Sequence, residues 1–132
     1  MEAAKAARRW GETWQRAWRA RDLVSVVALY HPDVRYLSEP FREPFRGTGQ
    51  LREYLLRVFA EEDGIDAWFG EPVVAGQRAS IEWWASLVEE GAEITLVGTS
   101  SLRFDDAGLV VEQRDTWNQS DGRLKRPEGW GS

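Results

Sequence analysis

"GLVVEQRDTWN", residues 108–118, alternates in character with a period of two and reads as a β-strand. Two opposite charges, Arg114 and Asp115, stand side by side in its middle. Successive side chains of a strand point to opposite faces, so these two cannot share one. One face carries Leu109, Val111, Gln113, Asp115 and Trp117; the other carries Val110, Glu112, Arg114, Thr116 and Asn118. The first set is apolar at both ends and polar only at its centre, which marks it as the inward face. The expectation is an aspartate aimed into the protein and an arginine aimed out, not an ion pair.

The two preceding strands, read as 79–88 and 92–104, repeat the pattern. Ile81, Trp83, Ala85 and Leu87 oppose Glu82, Trp84, Ser86 and Val88. Ile94, Leu96, Gly98, Ser100, Leu102 and Phe104 oppose Glu93, Thr95, Val97, Thr99, Ser101 and Arg103. Together the three strands place Trp83, Ala85, Gly98, Ser100, Gln113, Asp115 and Trp117 on one concave surface. Small residues leave volume there and indoles supply walls, which is the composition of a ligand pocket. Burying a lone carboxylate is unfavourable, so Asp115 must gain hydrogen bonds or hold a proton more tightly than usual. Gln113, its neighbour on the same face, is one available donor. The structural alternative is an Asp115 paired with a distant arginine or with tryptophan N–H groups.

The first half of the chain has helical spacing. Trp10, Trp14, Ala17, Trp18 and Arg21 form a stripe along one helix. Asp22 is placed to cap a short second helix carrying Leu23, Val26, Val27 and Tyr30, which His31-Pro32 ends. A strand over 34–38 follows, then "EPFREPFR" (39–46), read as an irregular loop whose Phe41 and Phe45 serve either as lid residues or as packing. Gly47-Thr48 opens a third helix with Leu51, Tyr54, Leu55, Val58 and Phe59 on one face, closed by the acidic "EEDG". A strand is expected over 67–74, and glycine-containing turns "AGQR", "EEGA" and "DDAG" connect the strands into an antiparallel meander. Helices first and strands second define an α+β domain over 1–118. The Gly/Pro-rich segment 119–132 reads as an extended tail pinned by Trp130. Trp84, outward with Val88 and Val97, suggests a homodimer interface through the sheet face.

Composition narrows the function classes. The chain has 132 residues, suited to one core, and is 42% hydrophobic and 30% charged. A net charge of −5 with no basic cluster argues against nucleic acid as a partner. With no cysteine and one histidine there is no thiolate chemistry and no multi-histidine metal site. No segment has the apolar length of a membrane span or signal peptide, so a cytoplasmic location is expected. Eight tryptophans, five phenylalanines and three tyrosines are the unusual feature.

The order "TWQRAWRARDLVSVVALYHPDV", "PFRGTGQLREYL", "LRFDDAGLVVEQRDTWN" resembles the SnoaL-like group of the nuclear transport factor 2-like (NTF2-like) superfamily. The resemblance implies a cone: a curved antiparallel sheet around a cavity closed by three N-terminal helices, often dimeric. Against the ketosteroid isomerases of this fold, the oxyanion tyrosine falls on Trp14, the shuttle aspartate on Ser38 and the second oxyanion acid on Ser100. Against the limonene epoxide hydrolases, the catalytic acid falls on Asp115, but the partner arginine and aspartate fall on Ile81 and Trp83. Neither set is complete. What the reading retains is a pocket for a small, largely apolar molecule, lined by Trp14, Trp18, Trp83, Ser100, Gln113 and Trp117. In it Asp115 is a candidate acid/base for an isomerase, cyclase or lyase step without metal or cofactor. The alternative is a non-enzymatic ligand-binding or dimerisation module.

Overall fold

The tryptophan stripe lies on a long helix, α1 (Ala3–Ala20), in a computed structural model that describes residues 1–132. Alanines on the same face let the helix sit close to the sheet, and Trp10, Trp14 and Trp18 enter the core. Arg21 ends α1 in the left-handed conformation, and the Asp22 N–H bonds back to the Ala17 carbonyl at 2.9 Å. Asp22 then caps α2 (Leu23–Val27), accepting from the Ser25 backbone N–H at 3.1 Å and the Ser25 hydroxyl at 2.6 Å. Helix α3 (Gly47–Glu61) buries Leu51, Leu55 and Phe59, the face its spacing predicts. No helix is long and apolar enough to cross a membrane.

Seven strands form one curved sheet: β1 (Tyr30–Leu37), β2 (Phe45–Arg46), β3 (Glu62–Phe69), β4 (Val73–Ala75), β5 (Arg78–Glu89), β6 (Ala92–Phe104) and β7 (Val110–Asp121). Their order is β2-β1-β7-β6-β5-β3, with β4 paired to β5. The helices pack on the concave side, giving the expected α+β cone. β5, β6 and β7 pair antiparallel in long register, which sets Trp83 beside Gly98 beside Trp117, and Ile81 beside Ser100 beside Asp115. These rungs build the concave surface.

The structure departs from the sequence reading in five places. The sheet is not antiparallel throughout, because β1 runs parallel to β7, whereas the meander of β3, β5, β6 and β7 is antiparallel as expected. Tyr30 begins β1 and is not on the second helix; Pro32 is tolerated because the β1–β7 register breaks between Tyr30 and Arg35, where no ladder N–H is required. "EPFREPFR" is not wholly irregular, since Phe45 and Arg46 add an edge strand, and Phe45 stacks on Tyr54 at 4.4 Å while Phe41 is fully exposed. The strand expected over 67–74 is two strands, β3 and β4, parted around Pro72. A bulge between β6 and β7 turns Val110 inward in place of Leu109 and Val111. Beyond the bulge the expected alternation resumes, with Gln113 buried and Arg114 exposed.

On the convex side, Trp84 packs edge-on against Trp130 at 5.5 Å and donates its N–H to the Leu124 carbonyl at 2.9 Å. Arg126 lies 3.9 Å above the Trp68 ring. The outer tryptophans are thus covered by the chain's own C-terminal segment, and Trp84 is half-buried without a partner molecule.

Candidate functional site

A cavity of about 400 Å³ opens between α1, α3 and the concave face of the sheet. The six residues named from the sequence as its wall and the candidate acid/base all line it: Trp14, Trp18, Trp83, Ser100, Gln113, Trp117 and Asp115, whereas Phe41 and Phe45, weighed as lid residues, do not. The walls are aromatic and interlocked. Trp18 meets Trp14 at 5.9 Å and Trp83 at 6.1 Å, both edge-to-face, and Trp14 meets Phe59 the same way at 6.2 Å. Gly98 makes room for this arrangement: a Cβ there would lie 2.7 Å from Trp117 Cβ and 2.8 Å from Trp83 Cζ2. The Trp117 N–H is satisfied by the Ser38 carbonyl at 2.7 Å, so that ring is fixed at the cavity wall.

Asp115 stands deep in the cone, shielded from bulk water yet with surface open to the cavity. Its Oδ1 accepts from the Ser100 hydroxyl at 2.7 Å and from the Gln113 amide at 2.9 Å; its Oδ2 accepts only from the Tyr36 hydroxyl, at 3.3 Å. None of the protein's ion pairs includes it. Arg114, its sequence neighbour, instead faces out toward Glu112 at 3.5 Å. Burial raises the Asp115 pKa from 3.8 to about 6, and the bonds from Ser100, Gln113 and Tyr36 hold it from rising further.

The supporting groups are polarised in one direction. The Trp83 N–H donates to Ser100 Oγ at 3.1 Å, which leaves the Ser100 proton for Asp115. The Trp14 and Trp10 N–H groups donate to the Tyr30 oxygen at 3.0 and 3.2 Å, and Tyr30 donates to Gln113 Oε1 at 2.5 Å. The Gln113 amide then points its N–H at Asp115. An indole is a donor only, so each branch ends in a group that cannot reverse it. Burial raises the pKa of Tyr30 and Tyr36 above the usual phenol value, so both stay protonated as donors.

A second carboxyl enters the same cavity. Glu62, at the start of β3, is 5% exposed and accepts the Trp18 N–H at 2.9 Å through Oε1. Burial lifts its pKa from 4.5 to about 7, with Glu89 and Glu61 adding to the rise and Trp18 and Arg21 opposing it. The Arg21 guanidinium bonds the Glu62 carbonyl and the Asp63 carboxylate, not the Glu62 carboxylate. Sequence reasoning missed Glu62 by reading "EEDG" only as the acidic close of the third helix. Alternation counted back from Ile65 and Ala67 selects Asp63 instead; Gly64, at φ 57°, interrupts the alternation and turns Glu62 inward. Tyr30 and Tyr36, also missed as site residues, come from β1, whose parallel pairing with β7 nothing local announces. No cluster of three or more histidine or acidic side chains is arranged to hold a metal ion.

The architecture has close counterparts. The Mycobacterium tuberculosis protein RV0760c superposes with a TM-score of 0.77 over 92% of this chain and 98% of its own, at 16% identity. An epoxide hydrolase from M. tuberculosis of the limonene epoxide hydrolase-like type superposes at 0.70 over 88% and 82%, at 19% identity. SalBIII, an epoxide hydrolase/cyclase-like enzyme with a role in pyran ring formation in the polyether salinomycin, superposes at 0.78 over 89% and 96%, at 12% identity. At these identities the likeness concerns the fold. No curated protein matches the sequence significantly. The profile of the SnoaL-like domain, however, matches residues 11–113, from Gly11 in α1 to Gln113 in β7. This chain belongs to the SnoaL-like family and carries its NTF2-like cone.

Proposed function

We propose that the cavity binds a small, largely apolar molecule and that Asp115 moves a proton on it, in an isomerase, cyclase or lyase step that uses no cofactor. One observation carries this reading. Asp115 is a carboxyl held by three neutral donors, without a cation, and open to an aromatic cavity. A carboxylate kept only for stability is ordinarily neutralised by a cation or sealed by its hydrogen bonds. Here Oδ2, with its single long bond, is left to receive a proton from a bound molecule. A pKa near 6 makes the group mostly ionised at neutral pH while keeping it basic enough to accept. The solved structures of epoxide hydrolase and cyclase-like proteins on this fold are consistent with acid/base work in the cone.

The reading is tested with 5-nitrobenzisoxazole, a flat aromatic probe. Removal of its ring C–H proton by a carboxylate breaks the N–O bond and releases a coloured cyanophenolate. The wild-type protein should accelerate this elimination, with kcat/KM rising as pH passes about 6. Asp115→Asn keeps the shape and removes the base, and should lower the rate about 10²–10⁴-fold. Equal rates for the two proteins would remove the catalytic role of Asp115.

A further inference from the structure

We propose that the molecule this cavity selects carries a fixed positive charge, an ammonium group on an apolar body, and that Glu62 is its counter-ion. The inference rests on the cavity being a binding site and adds the chemistry of its occupant.

Glu62 Oε1 is occupied by the Trp18 N–H. Oε2 has no partner in the protein, yet it is not among the buried side-chain atoms left without one, so it retains open surface. With the residue 5% exposed and lining the cavity, that surface faces the cavity. The nearby guanidinium of Arg21 is committed to the Glu62 carbonyl and to Asp63. Glu62 is therefore a nearly buried acid with one oxygen directed at the ligand space and no cation to meet it. A ligand ammonium would supply what the protein withholds, because a desolvated carboxylate gains most from a charged partner.

The surroundings agree. Trp18 donates to Glu62 and packs against Trp83, so the apolar body of an ammonium held at Oε2 would have indole walls to pack on. Five carboxylates line the cavity, Glu39, Glu61, Glu62, Glu89 and Asp115, against two exposed arginines, Arg42 and Arg57. An anionic ligand would be repelled on entry, and a neutral one would leave Glu62 without a counter-charge. The net charge of −5 draws cations in from a distance. Asp115 lies three strands away in the order β7-β6-β5-β3. A charged anchor at Glu62 would thus hold the molecule by one end and present its other part to Asp115.

Two isosteric probes test this at pH 8: benzyltrimethylammonium, and neopentylbenzene, in which carbon replaces the charged nitrogen. Their dissociation constants can be read from quenching of tryptophan fluorescence at fixed ionic strength. Wild-type protein should bind the cation at least ~10-fold more tightly than the hydrocarbon, within the range of desolvated charge pairing. In Glu62→Gln, which keeps an oxygen for the Trp18 N–H, the two constants should converge. In Glu112→Gln, which removes a carboxylate from outside the cavity, the preference should persist. Equal or tighter binding of neopentylbenzene by the wild type overturns the proposal while leaving the pocket reading intact. A preference that survives Glu62→Gln overturns the assignment to Glu62. If neither probe binds, this proposal falls together with the pocket reading.

Discussion

The two faces of the β5–β6–β7 sheet carry similar side chains in opposite circumstances. Trp83 and Trp84 are adjacent, as are Asp115 and Arg114. Inside, Trp83 is 7% exposed, and its N–H helps polarise the hydroxyl that holds Asp115. Outside, Trp84 lies under the C-terminal tail and spends its N–H on a backbone carbonyl. Inside, a charge has no counter-charge and its affinity for protons changes; outside, Arg114 and Glu112 form a solvent-screened pair of the kind worth little. The lesson is that residue type does not mark the site. The marker is a charge withheld from both water and counter-ion, on a face whose neighbours are small enough to leave a hollow.

The sharpest way to break this contrast is at the charge. Asp115→Asn should cost the benzisoxazole elimination its ~10²–10⁴-fold, whereas Arg114→Ala should leave that rate unchanged. The next effect is on stability. Asp115 and Glu62 have folded pKa values of about 6 and about 7, above their unfolded values of 3.8 and 4.5. The folded state therefore keeps protons that the unfolded chain has released, and stability falls as pH rises from about 4 to 7. Asp115→Asn and Glu62→Gln should each flatten that decline and raise stability at pH 8 relative to wild type by up to about 3 kcal/mol, measured by urea unfolding at pH 5 and pH 8. A steeper decline in either variant would contradict the burial argument.

Gly98→Ala sharpens the comparison by filling the hollow instead of changing its charge. The added methyl would meet the Thr116 carbonyl at 2.5 Å and both flanking indole side chains, so a loss of about 2 kcal/mol and weaker probe binding are expected. The convex face should respond least. Trp130→Ala should cost about 1 kcal/mol through the lost Trp84 contact, and Arg114→Ala under about 0.5 kcal/mol, both read from thermal melts. Neither should move the elimination rate.

The sequence was most informative where regular structure runs uninterrupted. Alternation along 113–117 oriented Gln113, Asp115 and Trp117 without reference to anything distant, and the spacing of Trp10, Trp14 and Trp18 oriented the opposing helix face. It failed at single-residue irregularities. One inserted residue near Val111 exchanged inward and outward positions, and Gly64 did the same for Asp63 and Glu62, because a period of two has no memory across a bulge. It failed also where a partner is remote. Tyr30 and Tyr36 reach the site through a parallel pairing of β1 with β7, a contact whose specification is spread over the whole fold. The proximity of Trp18 to Glu62, 44 positions on, is of the same kind.

The one-directional support of Asp115 has a consequence for the fate of hydrogen. A proton relay needs each member to accept on one side and release on the other, but here the Ser100 and Gln113 branches terminate in indoles that can never accept, and Tyr36, the third donor, receives no hydrogen bond from the protein. Nothing behind the carboxyl can carry a captured hydrogen away through the interior. It must return to the guest or leave through the mouth of the cone. With the mouth occupied, isotope lifted from one carbon of a bound compound should reappear on that same compound before solvent can dilute it.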